Sequence, residues 1–240
     1  VEELKKICRK KKLKGYSKLN KKELLLFLEK SNKKKVKIQK GGMVMINDDN
    51  IHEAVNEWCK NPENAKIKYG PINEWNTSNV TNMKNLFKNK LKFNGDISNW
   101  DVSKVTNMDR MFDRATSFNK NISKWNVEKV TNMDHMFERA SSFNGNIREW
   151  NVEKVTCMSN MFCKASTFNG DISIWNVSNV ENMNQMFEGD SSFDRDIISE
   201  WNISPSINRN EMFNYIYRRS YIFRQNIVIP KNMIPENNKN

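Results

Sequence analysis

No apolar run in this 240-residue chain is longer than five residues, the longest being Leu24–Leu28. A helical membrane span needs about 20, so none is present. The opening Val-Glu-Glu-Leu-Lys-Lys lacks the apolar core and small-residue cleavage site of a secretory signal, and the expected location is intracellular or in a virion. Histidine occurs only at His52 and His135, and the four cysteines, Cys8, Cys59, Cys157 and Cys163, form no C-x-x-C pair. Zinc and redox motifs are thereby missing, so neither metal nor cofactor is expected. No acid, base and nucleophile converge either. Asp109, Asp113, Asp134, Glu138 and Glu188 recur at a fixed interval beside Arg114, Arg139 and Lys164, which reads as solvated charge rows. The chain is therefore not expected to be an enzyme.

Excess charge is confined to one end. Residues 1–40 hold 16 Lys and Arg against four Glu, a net of +12, which is the net charge of the whole chain. The other 200 residues balance to zero. So concentrated a basic segment is the footprint of a polyanion partner. Within it, Leu4, Ile7 and Cys8 fall on one helical face. A second helix is predicted from Asn20, capped with Glu23 three residues on and burying Leu24, Leu25 and Leu28.

What the remainder has in abundance is repetition. Tryptophans stand at 75, 100, 125, 150 and 175, with a sixth at 201 after one inserted residue. Val80, Val105, Val130, Val155 and Val180 follow in register, as do a methionine column beginning at Met83 and phenylalanine columns beginning at Phe87 and Phe93. A period of 25 residues marks a protein built by stacking one unit. Within a unit, Val105, Met108, Met111, Phe112 and Ala115 are spaced like one face of a short helix. Trp100 and Val102 alternate with polar neighbours like a short strand, and such strands would pair into a parallel sheet down one side. The expected fold class is an α/β repeat solenoid, leucine-rich-repeat-like, with one short strand and one short helix per unit, plus a small N-terminal α-helical hairpin.

The run Trp100-Asp101-Val102-Ser103-Lys104-Val105-Thr106-Asn107-Met108, followed by Ala115-Thr116-Ser117-Phe118-Asn119, resembles the BspA-like surface-protein repeat. That family is known from mycoplasma lipoproteins, other microbial surface proteins and large DNA viruses, and is related to the leucine-rich repeats. The likeness covers about residues 50–215, and His52–Trp58 and Tyr69–Ile72 resemble its capping lead-in. In the first segment, Leu4-Lys5, Leu13-Lys14-Gly15-Tyr16-Ser17 and Lys22-Glu23-Leu24-Leu25 resemble the SAP and Rho-N-terminal type of helical motif, which binds DNA or RNA. These resemblances imply a basic module at 1–31, a linker at 32–49, a cap at 50–74 and five repeats at 75–200. A degenerate repeat and C-terminal cap rich in Tyr215, Tyr217, Arg218, Arg219 and Tyr221 would follow at 201–229, and a flexible tail at 230–240.

Function then reads as a scaffold for a protein partner with a nucleic-acid-binding head. Phosphate contacts are expected from Arg9, Lys10, Lys11, Lys12, Lys14, Lys18, Lys21 and Lys22. Positions flanking each Trp should point outward and differ between units: Asn99 and Asp101, Lys124 and Asn126, Glu149 and Asn151, Ile174 and Asn176. They are the expected partner strip. The alternative is a structural, minor capsid or cement-like component of a large DNA virus particle or of a surface layer, with other capsid proteins as partners. The pairing of head and repeat, together with the Lys, Asn and Ile bias, leans toward such a virus.

Overall fold

The computed structural model describes residues 2–10, 14–25, 28, 45–204, 207–208 and 210–213. The chain divides into two compact units, Val1–Gly42 and Met43–Asn240. In the first, helix α1 (Glu2–Lys10) buries Cys8, and residues 21–25 are helical. The predicted reciprocal cap forms: Glu23 N–H donates to Asn20 Oδ1 at 3.0 Å, and Asn20 N–H donates to Glu23 Oε2 at 2.8 Å. Cys8, Leu24 and Leu28 make a small core with Leu4, Tyr16 and Leu19 packed against it. Ile7 and Leu25, expected inside, are 42% and 47% exposed.

The second unit begins inside the expected linker. Ile46 is fully buried, Asn47 bridges Asn79, and Asp48 accepts from Thr81 N–H and Oγ1–H at 2.8 and 2.6 Å. Helix α2 (Ile51–Lys60) buries Ile51, Ala54 and Val55. It meets helix α3 (Pro62–Tyr69) at Asn61, whose Oδ1 caps α3 by accepting from Asn64 N–H, with Pro62 in the first turn, where a missing N–H costs nothing. A 3₁₀ turn, Ile72–Glu74, then delivers Trp75.

From Trp75 the chain winds in 25-residue coils stacked through three aromatic pillars. Phe87, Phe112, Phe137, Phe162, Phe187 and Phe213 stack with centroids 5.3–5.7 Å apart. Phe93, Phe118, Phe143, Phe168 and Phe193 do so at 5.9–6.0 Å. Each tryptophan donates its indole N–H to a carbonyl of the preceding coil: Trp100 to Ile72, Trp125 to Ile97, Trp150 to Ile122, Trp175 to Ile147 and Trp201 to Ile172, at 2.7–3.2 Å. The inserted residue leaves Ile198, rather than Ile197, in the buried isoleucine column.

The expected α/β solenoid is not what forms. Among the described residues there is no strand, and no coil contains an α-helix. Trp100 and Val102 are buried as alternation requires, but this stretch turns every few residues. Trp100 N–H goes back to Ile97, Val105 N–H to Val102, and Ser103 N–H to the Asp101 side chain, so these amides are used locally. Strand-type pairing between coils is reduced to isolated parallel bridges at Asn82, Asn107, Asn132, Cys157, Asn182 and Asn208.

The predicted helix is instead a staircase of overlapping turns. Met111, Asp113 and Ala115 donate back to Met108, Arg110 and Phe112, while Met108, Arg110, Phe112 and Arg114 donate to carbonyls of the next coil. Asp109 N–H, left over, is taken by Asn107 Oδ1 at 2.8 Å. Every amide from 108 to 115 thus has a partner. Arg110 and Arg114 sit at φ 54° and 59°, in the left-handed region, which forbids helix propagation through them. Three-residue turn bonds reproduce the apolar spacing of a helix face, so Val105, Met108, Met111, Phe112 and Ala115 are all buried without one.

The residues expected to form the C-terminal cap, Tyr215, Tyr217, Arg218, Arg219 and Tyr221, and the tail from 230 lie outside the described residues.

Candidate functional site

All eight positions of the expected partner strip, Asn99, Asp101, Lys124, Asn126, Glu149, Asn151, Ile174 and Asn176, are exposed, Ile174 at 51%. Half of them have structural work. Asp101 Oδ1 accepts from Ser103 N–H, Asn126 from Glu128, Asn151 from Glu153 and Asn176 from Ser178, at 3.0–3.2 Å. A side chain that replaces a backbone acceptor in a tight turn explains why this column holds only Asn or Asp. The positions before each tryptophan carry no such duty. They read Asn99, Lys124, Glu149 and Ile174, an amide, a cation, an anion and an alkyl group in succession.

The same device recurs where sequence reasoning saw only an Asn-rich bias. Asp96, Asn121, Asn146 and Asp171 close a second column of side-chain turns. Asn94, Asn119, Asn144 and Asn169 form a ladder, each accepting the N–H of the equivalent residue one coil on, at 2.9–3.1 Å. Alignment of the units on Asn, and not only on apolar columns, would have exposed these roles.

The charge columns are less solvated than expected. Asp109 and Asp113 are 4% exposed and pair with Lys84 and Lys88 of the preceding coil at 2.9 and 3.2 Å. His135 Nδ1 lies 2.7 Å from Glu138 Oε2, and that hydrogen bond holds the Glu138 carboxyl below its ordinary value. Burial pushes Asp134 up, although it accepts Ser159 N–H at 2.7 Å. Cys163 is a buried free thiol pushed up to about 12 by desolvation. Asp190 occupies the column of Ala115, Ala140 and Ala165; it is fully buried, and burial raises it to about 7. Its Oδ1 accepts from Ser192 N–H at 3.0 Å, while Oδ2 has no hydrogen-bond partner among the described residues. No group of three or more His, Cys, Asp or Glu among the described residues could hold a metal.

In the first unit, Lys10, Lys14, Lys18, Lys21 and Lys22 are exposed, and Arg9 is exposed with its guanidinium 3.3 Å from Glu2. Lys11 and Lys12 lie outside the described residues. No helix among the described residues is long and apolar enough to cross a membrane.

Period, columns and coil-to-coil bonding place residues 75–204 among stacked repeat proteins, in which each unit is stabilised by its neighbours. The chain belongs to the family described as "Mycoplasma protein of unknown function, DUF285", the BspA-like surface repeat family, which it matches over residues 53–162 and 145–228. No curated protein and no solved structure matches it.

Proposed function

We propose that this chain is a non-enzymatic scaffold whose coil stack holds a protein partner along the strip from Asn99 to Asn176, and whose first segment engages nucleic acid. The observation that carries the reading is the column Asn99, Lys124, Glu149, Ile174: exposed, free of turn duty and different in chemistry at each step. Beneath it the buried columns stay constant, and a changing surface on a constant framework is how stacked repeats acquire specificity. Residues 1–40 supply the charge for a polyanion, with Lys10, Lys14, Lys18, Lys21 and Lys22 exposed around a capped helical segment of the SAP-like kind.

Cross-linking of the native complex, followed by mass spectrometry, tests the strip. Links from the partner should fall beside Lys124 and Glu149, and links confined to the side of Asp113, Glu138 and Arg139 would overturn the assignment. For the head, duplex DNA should bind the full chain at low salt and lose affinity steeply toward physiological salt. Charge reversal at Lys10, Lys11, Lys14 and Lys18 should abolish that binding; unchanged affinity would remove nucleic acid from the proposal.

A further inference from the structure

The first coil departs from its successors at one corner. Where later coils read Arg114-Ala115-Thr116-Ser117, Arg139-Ala140-Ser141-Ser142 and Lys164-Ala165-Ser166-Thr167, the first reads Asn89-Lys90-Leu91-Lys92. This corner and the end of α2 enclose a cleft of about 820 Å³, lined by Trp58, Lys60, Lys90, Leu91, Lys92 and Asn56 among others. Among the described residues, no acidic one lines it.

Part of the departure follows from position in the stack. Hydroxyls of later corners reach back to the preceding coil, as when Thr116 Oγ1 donates to Leu91 O at 3.1 Å and Ser192 Oγ to Ser166 O at 2.7 Å. A first coil has no predecessor to reach, and Lys90 instead donates to Asn56 Oδ1 of α2 at 2.5 Å. That accounts for lost hydroxyls but not for what replaced them. Leu91 is left 54% exposed, and Lys60 and Lys92 have no ion-pair partner among the described residues. An exposed alkyl group between unpaired cations, over a floor of Trp58 and buried Phe93, is an apolar pocket with a cationic rim.

We infer that this cleft binds a short acidic peptide segment carrying a large apolar side chain. The volume falls within the range of about 300–1,000 Å³ typical of ligand clefts, which suits a segment of extended chain better than a folded face. Three lysines without a carboxylate set the sign of the ligand. Leu91 and Trp58 receive its apolar anchor, and the Nδ2–H groups of Asn56 and Asn94, whose Oδ1 atoms are taken by Lys90 and Asn119, together with the Asn89 amide are left for the peptide backbone. Single-stranded nucleic acid fits less well, because it binds on rows of aromatic faces. The half-buried Trp58 is already engaged edge-to-face with Trp75, at 6.0 Å and 85°. The inference does not depend on the strip or the head, since none of the cleft residues belongs to either.

Cys59 gives a reporter inside the cleft, as an exposed thiol, whereas Cys157 is only half exposed and serves as an internal control. The probe is the peptide Asp-Glu-Asp-Leu-Phe-Glu-Asp, blocked at both ends and added to the full chain, with iodoacetamide labelling of each cysteine followed by mass spectrometry. At a few times Kd the peptide should slow labelling of Cys59 about fivefold and leave Cys157 unchanged. The double substitution Leu91→Ser and Lys92→Ser should remove that protection. It installs residues that later coils carry at this corner, so the fold is not at stake, and an unchanged denaturation midpoint checks this. Three results would each overturn the inference. One is an unprotected Cys59, and another is protection that survives the double substitution. The third is equal protection by oligothymidylate, or by the same peptide with Leu and Phe replaced by Ser, which would leave only charge attraction.

Discussion

The two units of this chain place their charges and their cores in opposite ways. In Val1–Gly42, Lys10, Lys14, Lys18, Lys21 and Lys22 are exposed around a small core that, among the described residues, is Cys8, Leu24 and Leu28. In the coils, Asp109 and Asp113 are buried under Lys84 and Lys88, and three aromatic pillars run through consecutive units. A periodic core multiplies one good contact by the number of coils, so no single unit has to be stable alone. The small unit has no such multiplication, and its surface is left to carry charge outward.

Breaking a pillar should have the largest effect. Trp125→Ala removes an indole stacked 6.4 Å from Trp150 and takes from Ile97 O one of its two donors, leaving Trp100 N–H. The expected loss is about 3–5 kcal/mol in chemical denaturation. A loss below about 1 kcal/mol would mean that the coils do not share one cooperative core.

Next comes a buried carboxyl whose Oδ2 has no hydrogen-bond partner among the described residues. Asp190, in the alanine column, is raised from 3.8 to about 7 by burial. Between these values the folded chain keeps a proton that the unfolded chain releases, so stability falls as pH rises from about 4 to about 7, and the loss is complete above that. Asp190→Ala should therefore stabilise the coils by about 2–4 kcal/mol at pH 8 and add little at pH 4. Denaturation midpoints of both proteins across this range check the sign; parallel curves would show that Asp190 is not the source.

Leu24→Ala should cost about 2–3 kcal/mol, the low end for a leucine because so small a core can collapse around the gap. The cost should appear in amide exchange of residues 2–25 while exchange in the coils stays unchanged, which would sharpen the contrast between the two units.

Which residues lie inside was readable in advance, because burial follows the columns: Trp, Val, Met, Phe and Ile repeat every 25 residues, and nearly every one is buried. How the backbone reaches that burial was not. Helix-like spacing at Val105–Ala115 arises equally from three-residue turns, and the feature that separates them is a left-handed residue every fourth position. Arg110, His135, Gln185 and Arg114 adopt it without being Gly or Asn, and only some members of these columns, Gly189 and the asparagines Asn85, Asn89 and Asn160, advertise it by residue type. The strip was legible as exposed positions, but its Asn and Asp members have turn duties that appear only once Ser103 and its equivalents are seen donating to them.

The smallest effect is expected at Cys157, where two rules compete. Its column is otherwise Asn82, Asn107, Asn132, Asn182 and Asn208, each accepting an N–H two residues on. Restoring the pattern with Cys157→Asn would ordinarily promise about 1 kcal/mol, the worth of a hydrogen bond. Here the N–H in question, that of Ser159, is already taken by Asp134 of the preceding coil at 2.7 Å, so a new acceptor displaces an existing one. Cys157→Asn alone should thus lie within about 0.5 kcal/mol of the parent protein. Asp134→Ala removes the substitute acceptor and should be tolerated better in the Cys157→Asn background, with a coupling of about 1 kcal/mol in a double-mutant cycle. Additive effects would show that the two acceptors serve different donors, and that the Asn columns owe their regularity to something other than turn closure.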